Sequence, residues 1–96
     1  MAKSATGGAE RVSTKAKLQA ELLILGRVLV RARERSGLRQ NELAARLGTP
    51  ASYLSKIEKG TRRLDVIELV RICGAMGADP AEIVRELAKE IVNVEL

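Results

Sequence analysis

Histidine is absent from this 96-residue chain, cysteine occurs once, and Tyr53 is the sole aromatic residue. Each scarcity excludes chemistry. Without histidine there is no Ser-His-Asp or Cys-His catalytic arrangement and no histidine-ligated metal. A single thiol, Cys73, can build neither a thiolate zinc cluster nor an intrachain disulfide, and it points to a reducing, cytoplasmic setting. With so little aromatic area to bury, stability has to come from aliphatic packing. The longest apolar run, Leu22-Leu23-Ile24-Leu25, is closed by Gly26 and Arg27, far short of the about 18 residues a membrane span needs. The first residues lack the apolar block of a signal peptide. There is no glycine-rich phosphate loop and no cluster of carboxylates suited to acid-base work. The expectation is a single soluble, cytoplasmic domain that is not an enzyme and uses no metal or cofactor.

Charge gives the first positive indication. The chain has 17 basic and 12 acidic residues and a formal charge of +5, which favours polyanionic partners. Residues 1–38 hold 8 basic and 3 acidic side chains, residues 39–63 hold 6 and 2, and residues 64–96 hold 3 and 7. The basic surface therefore belongs to the first two thirds.

Residues 1–16 are rich in Lys, Ser, Thr, Gly and Ala and are expected to form a disordered arm ahead of a domain over residues 17–96. From Leu18, the apolar positions Leu22, Leu25, Leu29 and Ala32 follow a helical stripe that Ser36-Gly37 ends. Leu23, Ile24, Val28 and Val30 add apolar surface beyond that stripe. A short helix fits Gln40 to Leu47, with Gly48 as its left-handed cap. Another restarts at once, with Thr49 as N-cap and Pro50 at the first helical position, and closes at Gly60. Asp65 and Glu68 form a capping box for a fourth helix ending at Gly77. Asp79-Pro80 opens a fifth, marked by Ile83, Leu87, Ala88 and Ile91. No internal repeat or strand-turn-strand signal is present.

Two short helices separated only by Gly48 and Thr49 must cross steeply, which makes residues 40–60 a tight helix-turn-helix. Ala44 falls where the helices touch most closely and has to be small. Residues Gly26 to Pro80 resemble the Cro/repressor-type, or XRE, family of helix-turn-helix proteins. The resemblance lies in Leu38-Arg39-Gln40-Asn41-Glu42-Leu43-Ala44, in Ser52-Tyr53-Leu54-Ser55-Lys56-Ile57-Glu58-Lys59-Gly60, and in Arg63-Leu64-Asp65-Val66-Ile67-Glu68-Leu69. It implies an all-α, compact five-helix, lambda-repressor-like domain whose third helix enters the major groove of DNA.

On a helical wheel, Leu54, Ile57 and Glu58 share one side of helix 3, and Ser52, Ser55, Lys56 and Lys59 the other. A protruding helix offers base edges its N-terminal and outward side chains, so Ala51, Ser52 and Lys56 are the candidates for base contact. Lys56 can donate to guanine, Ser52 can donate or accept, and Ala51 can touch a thymine methyl. Backbone contacts are expected from Arg39, Gln40, Tyr53, Ser55, Lys59, Thr61, Arg62 and Arg63. The position matching Ala51 is commonly Gln in the family, so the usual partner of Gln40 is missing; the resemblance assigns Gln40 to a phosphate. Tyr53 could pack with its hydroxyl toward a phosphate or contact a base. Arg62 and Arg63 could instead be ordinary surface charge, and Arg63 could pair with an acid of helix 4. Glu58 on the apolar side needs a partner, and the resemblance supplies Arg33 for a buried structural ion pair.

The surplus apolar surface of helix 1 and the tail Ile91-Val92-Asn93-Val94-Glu95-Leu96 suggest a homodimer, with two helices 3 about one DNA turn apart on a palindromic site. Alternatively the tail folds back over helix 1 or forms an exchanged edge strand. The arm, with Lys3, Arg11, Lys15 and Lys17, could follow the DNA backbone or be inert. The reading is a sequence-specific, double-stranded DNA-binding transcriptional regulator, a dimeric repressor with no small-molecule ligand. The alternative is a protein-interaction adaptor or antitoxin-like module on the same fold.

Overall fold

A computed structural model describes the backbone of residues 2–95 and the side chains of residues 14–93. Five helices are present among them: α1 (Ala2–Arg35), α2 (Gln40–Leu47), α3 (Ala51–Glu58), α4 (Val66–Met76) and α5 (Pro80–Glu95). The all-α, five-helix architecture is as expected. None of these helices is long and apolar enough to cross a membrane.

The boundaries follow from local chemistry. Helix α2 ends in a left-handed cap at Gly48, φ 69°, where the Gly48 and Thr49 amides donate back to the carbonyls of Ala45 and Ala44. Only glycine takes that φ without steric strain. Because the Thr49 amide belongs to this cap, Thr49 does not open the next helix. Pro50, in extended backbone, is the N-cap of α3 and Ala51 its first residue; the Thr49 hydroxyl is buried with no hydrogen-bond partner. The Asp65 box forms as expected: the Glu68 amide donates to Asp65 Oδ1 at 2.7 Å, and the Asp65 amide donates to Glu68 Oε1 at 3.0 Å.

Helix α1 starts at Ala2, so the backbone is helical where an irregular arm over residues 1–16 was expected. Extending an existing helix adds a hydrogen bond per residue with no new nucleation, and the Ala, Lys and Glu residues of this stretch favour it despite Gly7-Gly8. Met1 lies outside the described residues.

The core is aliphatic: Val28, Leu29, Ala32, Leu43, Ala44, Leu54, Ile57, Ile72, Cys73 and Ile83 are almost fully buried. Two glycines let α1 and α3 meet. A Cβ at Gly26 would lie 2.3 Å from the Glu58 carbonyl oxygen, and one at Gly60 would lie 2.9 Å from the Cα of Leu23. The end of α3 thus rests directly on the α1 backbone. Helix α5 packs along α1 and remains helical to Glu95, so the tail forms no exchanged strand; Leu96 lies outside the described residues. Arg31 pairs with Glu86 at 3.0 Å and with Glu90, and Arg35 reaches Glu86 at 3.6 Å. Part of the apolar surface of α1 that suggested a dimer contact is consumed inside the protomer: Ile24 and Val28 are buried and Val30 is half-buried, while Leu23 stays exposed.

Candidate nucleic-acid interface

Burial of Leu54 and Ile57 fixes which side of α3 faces out. Ala51, Ser52, Lys56 and Lys59 are exposed and Ser55 and Tyr53 half-buried, so Ser52, Lys56 and Lys59 lie outward as on the helical wheel. Arg39, at the N-cap of α2, and Arg63, after α3, are also exposed. Among the described residues, Arg39, Lys56, Lys59 and Arg63 enter no ion pair. Lys56 and Lys59 on α3, Arg63 just after it and Arg39 at the start of α2 thus keep their charge uncommitted.

The back of α3 is held by one carboxylate. Arg33 Nε donates to Glu58 Oε2 at 2.7 Å, and Arg33 Nη2 donates to Oε1 at 3.2 Å, with side-chain exposures of 13% and 8%. Arg33 Nη1 donates to the Leu38 carbonyl at 2.9 Å, and the Gln40 amide donates to Glu58 Oε1 at 2.8 Å. The end of α1, the start of α2 and the end of α3 therefore converge on Glu58. A charged pair this far from water is held by its two-pronged geometry and additional hydrogen bonds. Gln40, read from sequence as a phosphate ligand, directs its amide inward in this structure.

A second carboxylate organises the flank. Arg62 Nη2 donates to Glu68 Oε2 at 3.0 Å, and the Tyr53 hydroxyl donates to the same oxygen at 3.1 Å. The Arg62 guanidinium lies 4.7 Å from the centroid of the Tyr53 ring, a cation-π stack. The Arg62 guanidinium, and then the Asp65 amide, hold the Glu68 carboxyl at about 2. Burial, followed by the hydrogen bond to Glu68, raises the Tyr53 hydroxyl. Arg62, rather than Arg63, is the arginine that pairs with an acid of α4. Glu68 was legible only as a capping residue; its role in orienting Tyr53 and Arg62 carries no separate sequence signal.

The Thr61 hydroxyl donates to the Lys56 carbonyl at 3.1 Å and closes the end of α3. A cleft between α1 and the turn after α3 is lined by Lys15, Gln19, Thr61 and Arg63, with Leu18 and Leu22 at its apolar side. A cation of α1, Lys15, and Arg63 thus line the same cleft. The side chains of Lys3 and Arg11 lie outside those described.

Comparison with known proteins agrees with this geometry. A family model described as a helix-turn-helix domain matches residues 24–85. The chain is 38% identical over 61 residues to an uncharacterized HTH-type transcriptional regulator of Sinorhizobium fredii, covering 64% of this chain and 79% of that one. An XRE-family like protein from Pseudomonas syringae superposes with a TM-score of 0.65 at 41% identity, over 85% of this chain and 95% of that one. The clp gene regulator ClgR of Corynebacterium glutamicum superposes with a TM-score of 0.69 at 30% identity, over 74% and 91%. With its α2-turn-α3 unit, capped α4 and outward basic edge, the chain belongs to the XRE-type helix-turn-helix family of DNA-binding transcriptional regulators, which are not enzymes.

Proposed function

We propose that this protein is a dimeric repressor that reads a palindromic operator by placing α3 in the major groove. The observation that carries the reading is the polar, cationic outer edge of α3, which stands directly behind the buried Leu54 and Ile57 and cannot turn inward without emptying the core. Ala51, Ser52 and Lys56 contact base edges. Arg39, Ser55, Lys59, Thr61 and Arg63 contact phosphates and fix register. Gln40, Tyr53 and Arg62 brace that surface through Glu58 and Glu68, and reach phosphates only where those bonds rearrange. Residues 1–16 act as an N-terminal arm on a binding domain of residues 17–96, and Lys15, which lines the same cleft as Arg63, supports contact of the arm with the DNA backbone. A cytoplasmic location follows from this role. The dimeric state is part of the proposal; among the described residues, the large apolar side chains that α1 and α5 leave exposed for a second copy are Leu23, Val84 and Val92.

Selection of bound sequences from a random duplex library, at two salt concentrations, tests the reading. The wild type returns a two-fold symmetric site and Lys56→Ala loses preference at one position of each half-site. If about six to ten phosphates are neutralised per dimer, affinity falls by several powers of ten for tenfold more salt. Binding that is sequence-blind and abolished by salt overturns the proposal in favour of the adaptor reading.

A further inference from the structure

The outer face of α4 carries the two most exposed large apolar residues among those described, Val66 at 74% and Ile67 at 65%, with Val70 at 50% beside them. Ile67 lies opposite the buried Leu69, Ile72, Cys73 and Met76, while Val66 and Val70 flank that buried stripe and stay outside it. Gly74 falls on the same face, one turn after Val70 and two after Val66. It is exposed, its backbone is ordinary helix, and a Cβ built on it meets nothing within 4 Å. Neither a turn nor a close approach within the protomer calls for glycine there, although glycine weakens a helix interior. An open notch therefore follows two exposed valines at helical spacing.

The geometry points to this face as the contact with a second copy of the chain, an inference that rests on the dimeric reading above and relocates its seat from α1 and the tail to α4. The series Val66, Val70, Gly74 is complementary to itself. In an antiparallel pair of α4 helices with the two-fold axis level with Val70, each Val66 faces Gly74 of the other copy, where the missing side chain makes room. Such a contact uses the same patch on both subunits, as closed two-fold dimers do, and glycine lets the helix axes approach to the short end of about 8 to 10 Å. Ile67 then covers one flank, beside the aliphatic stem of Arg71. Helix α4 also follows directly on the Thr61–Arg63 turn, so the two-fold axis stands next to the edge that meets DNA.

The test is the dissociation constant of the full chain by sedimentation. Gly74→Leu and Val70→Asp are expected to weaken the dimer by at least about tenfold, and Arg85→Ala, on α5, to leave it unchanged. Leucine favours helix over glycine, so weakening by Gly74→Leu cannot be ascribed to a damaged α4; circular dichroism checks this. Val70→Cys is expected to form a symmetric disulfide under mild oxidation, with the fully buried Cys73 not competing. A wild-type dimer indifferent to both Gly74→Leu and Val70→Asp overturns the α4 contact but leaves the dimeric reading intact. A wild type that stays monomeric at about 100 μM and binds its selected site as one copy overturns both.

Discussion

Replacing Glu58 with alanine removes the carboxylate on which α1, α2 and α3 converge. It leaves the Arg33 guanidinium, 13% exposed, with the Leu38 carbonyl as its sole remaining acceptor, and strands the Gln40 amide. Removing one partner of a buried pair costs about 3 to 5 kcal/mol, because the cost is that of the charge left behind. Since solvent can reach part of Arg33, the lower half of that range is expected. For a domain of this size 1 kcal/mol moves the melting temperature by about 4 to 8 °C, so the loss should be roughly 12 °C or more. It is a large share of the about 5 to 15 kcal/mol such domains have. The assay is thermal and urea denaturation of the wild type, Glu58→Ala, Arg33→Met and the double variant Arg33→Met/Glu58→Leu. The double variant should recover most of the loss, since an apolar pair of similar volume leaves no charge unpaired. A Glu58→Ala melt within about 4 °C of wild type, or a double variant no better than the single one, would refute the reasoning.

Other perturbations follow from the same contacts. Gly26→Ala places a methyl 2.3 Å from the Glu58 carbonyl oxygen; backbone cannot rotate away, so the expected cost is about 3 kcal/mol, read by urea denaturation. Glu68→Gln tests the flank by pH. The Glu68 carboxyl is lowered from about 4.5 to about 2, so its contribution is complete above the ordinary value and is lost as pH falls through the folded one. The melting-temperature gap between wild type and Glu68→Gln should be constant near neutrality and shrink between about pH 4.5 and 2; a full gap at pH 2 contradicts the assignment. Arg63→Ala should weaken DNA binding evenly across sequences and lower the magnitude of the salt slope by about one per half-site, whereas Lys56→Ala should relax base preference. A sequence-dependent effect of Arg63→Ala would move it from the backbone to the bases.

The limits of α2 could be read from the chain because a short apolar period meets Gly48, and the Asp65-Glu68 box because it is local. What escaped was set by contacts between elements. Gly26 looks like a stop after four apolar residues, yet its reason is a carbonyl 32 positions away, on Glu58. Thr49 has the chemistry of an N-cap, but the left-handed turn at Gly48 draws its amide into the cap of α2. The surplus apolar surface of α1 reads first as a dimer face and second as a seat for the tail; within the protomer α5 packs along α1. The arrangement also explains the charge asymmetry along the chain. The acidic last third does not stand apart from the basic part, since Glu86 and Glu90 neutralise Arg31 and Glu86 also meets Arg35.

That pairing sorts the arginines by role. Arg31, Arg33 and Arg35 face acids of α5 and α3, and Arg62 faces Glu68. An arginine already held by a carboxylate has little charge left for a phosphate, and releasing it would leave an acid behind on the surface that must approach DNA. Electrostatic attraction to DNA then falls to cations without such partners, among them Lys56 and Lys59 on α3, Arg63 just after it and Arg39 at the start of α2; Arg46 of α2 also meets no acid and is held by the Ala75 carbonyl. The acids thus withdraw Arg31, Arg33, Arg35 and Arg62 from the free positive charge, although the composition spreads arginine along the whole chain.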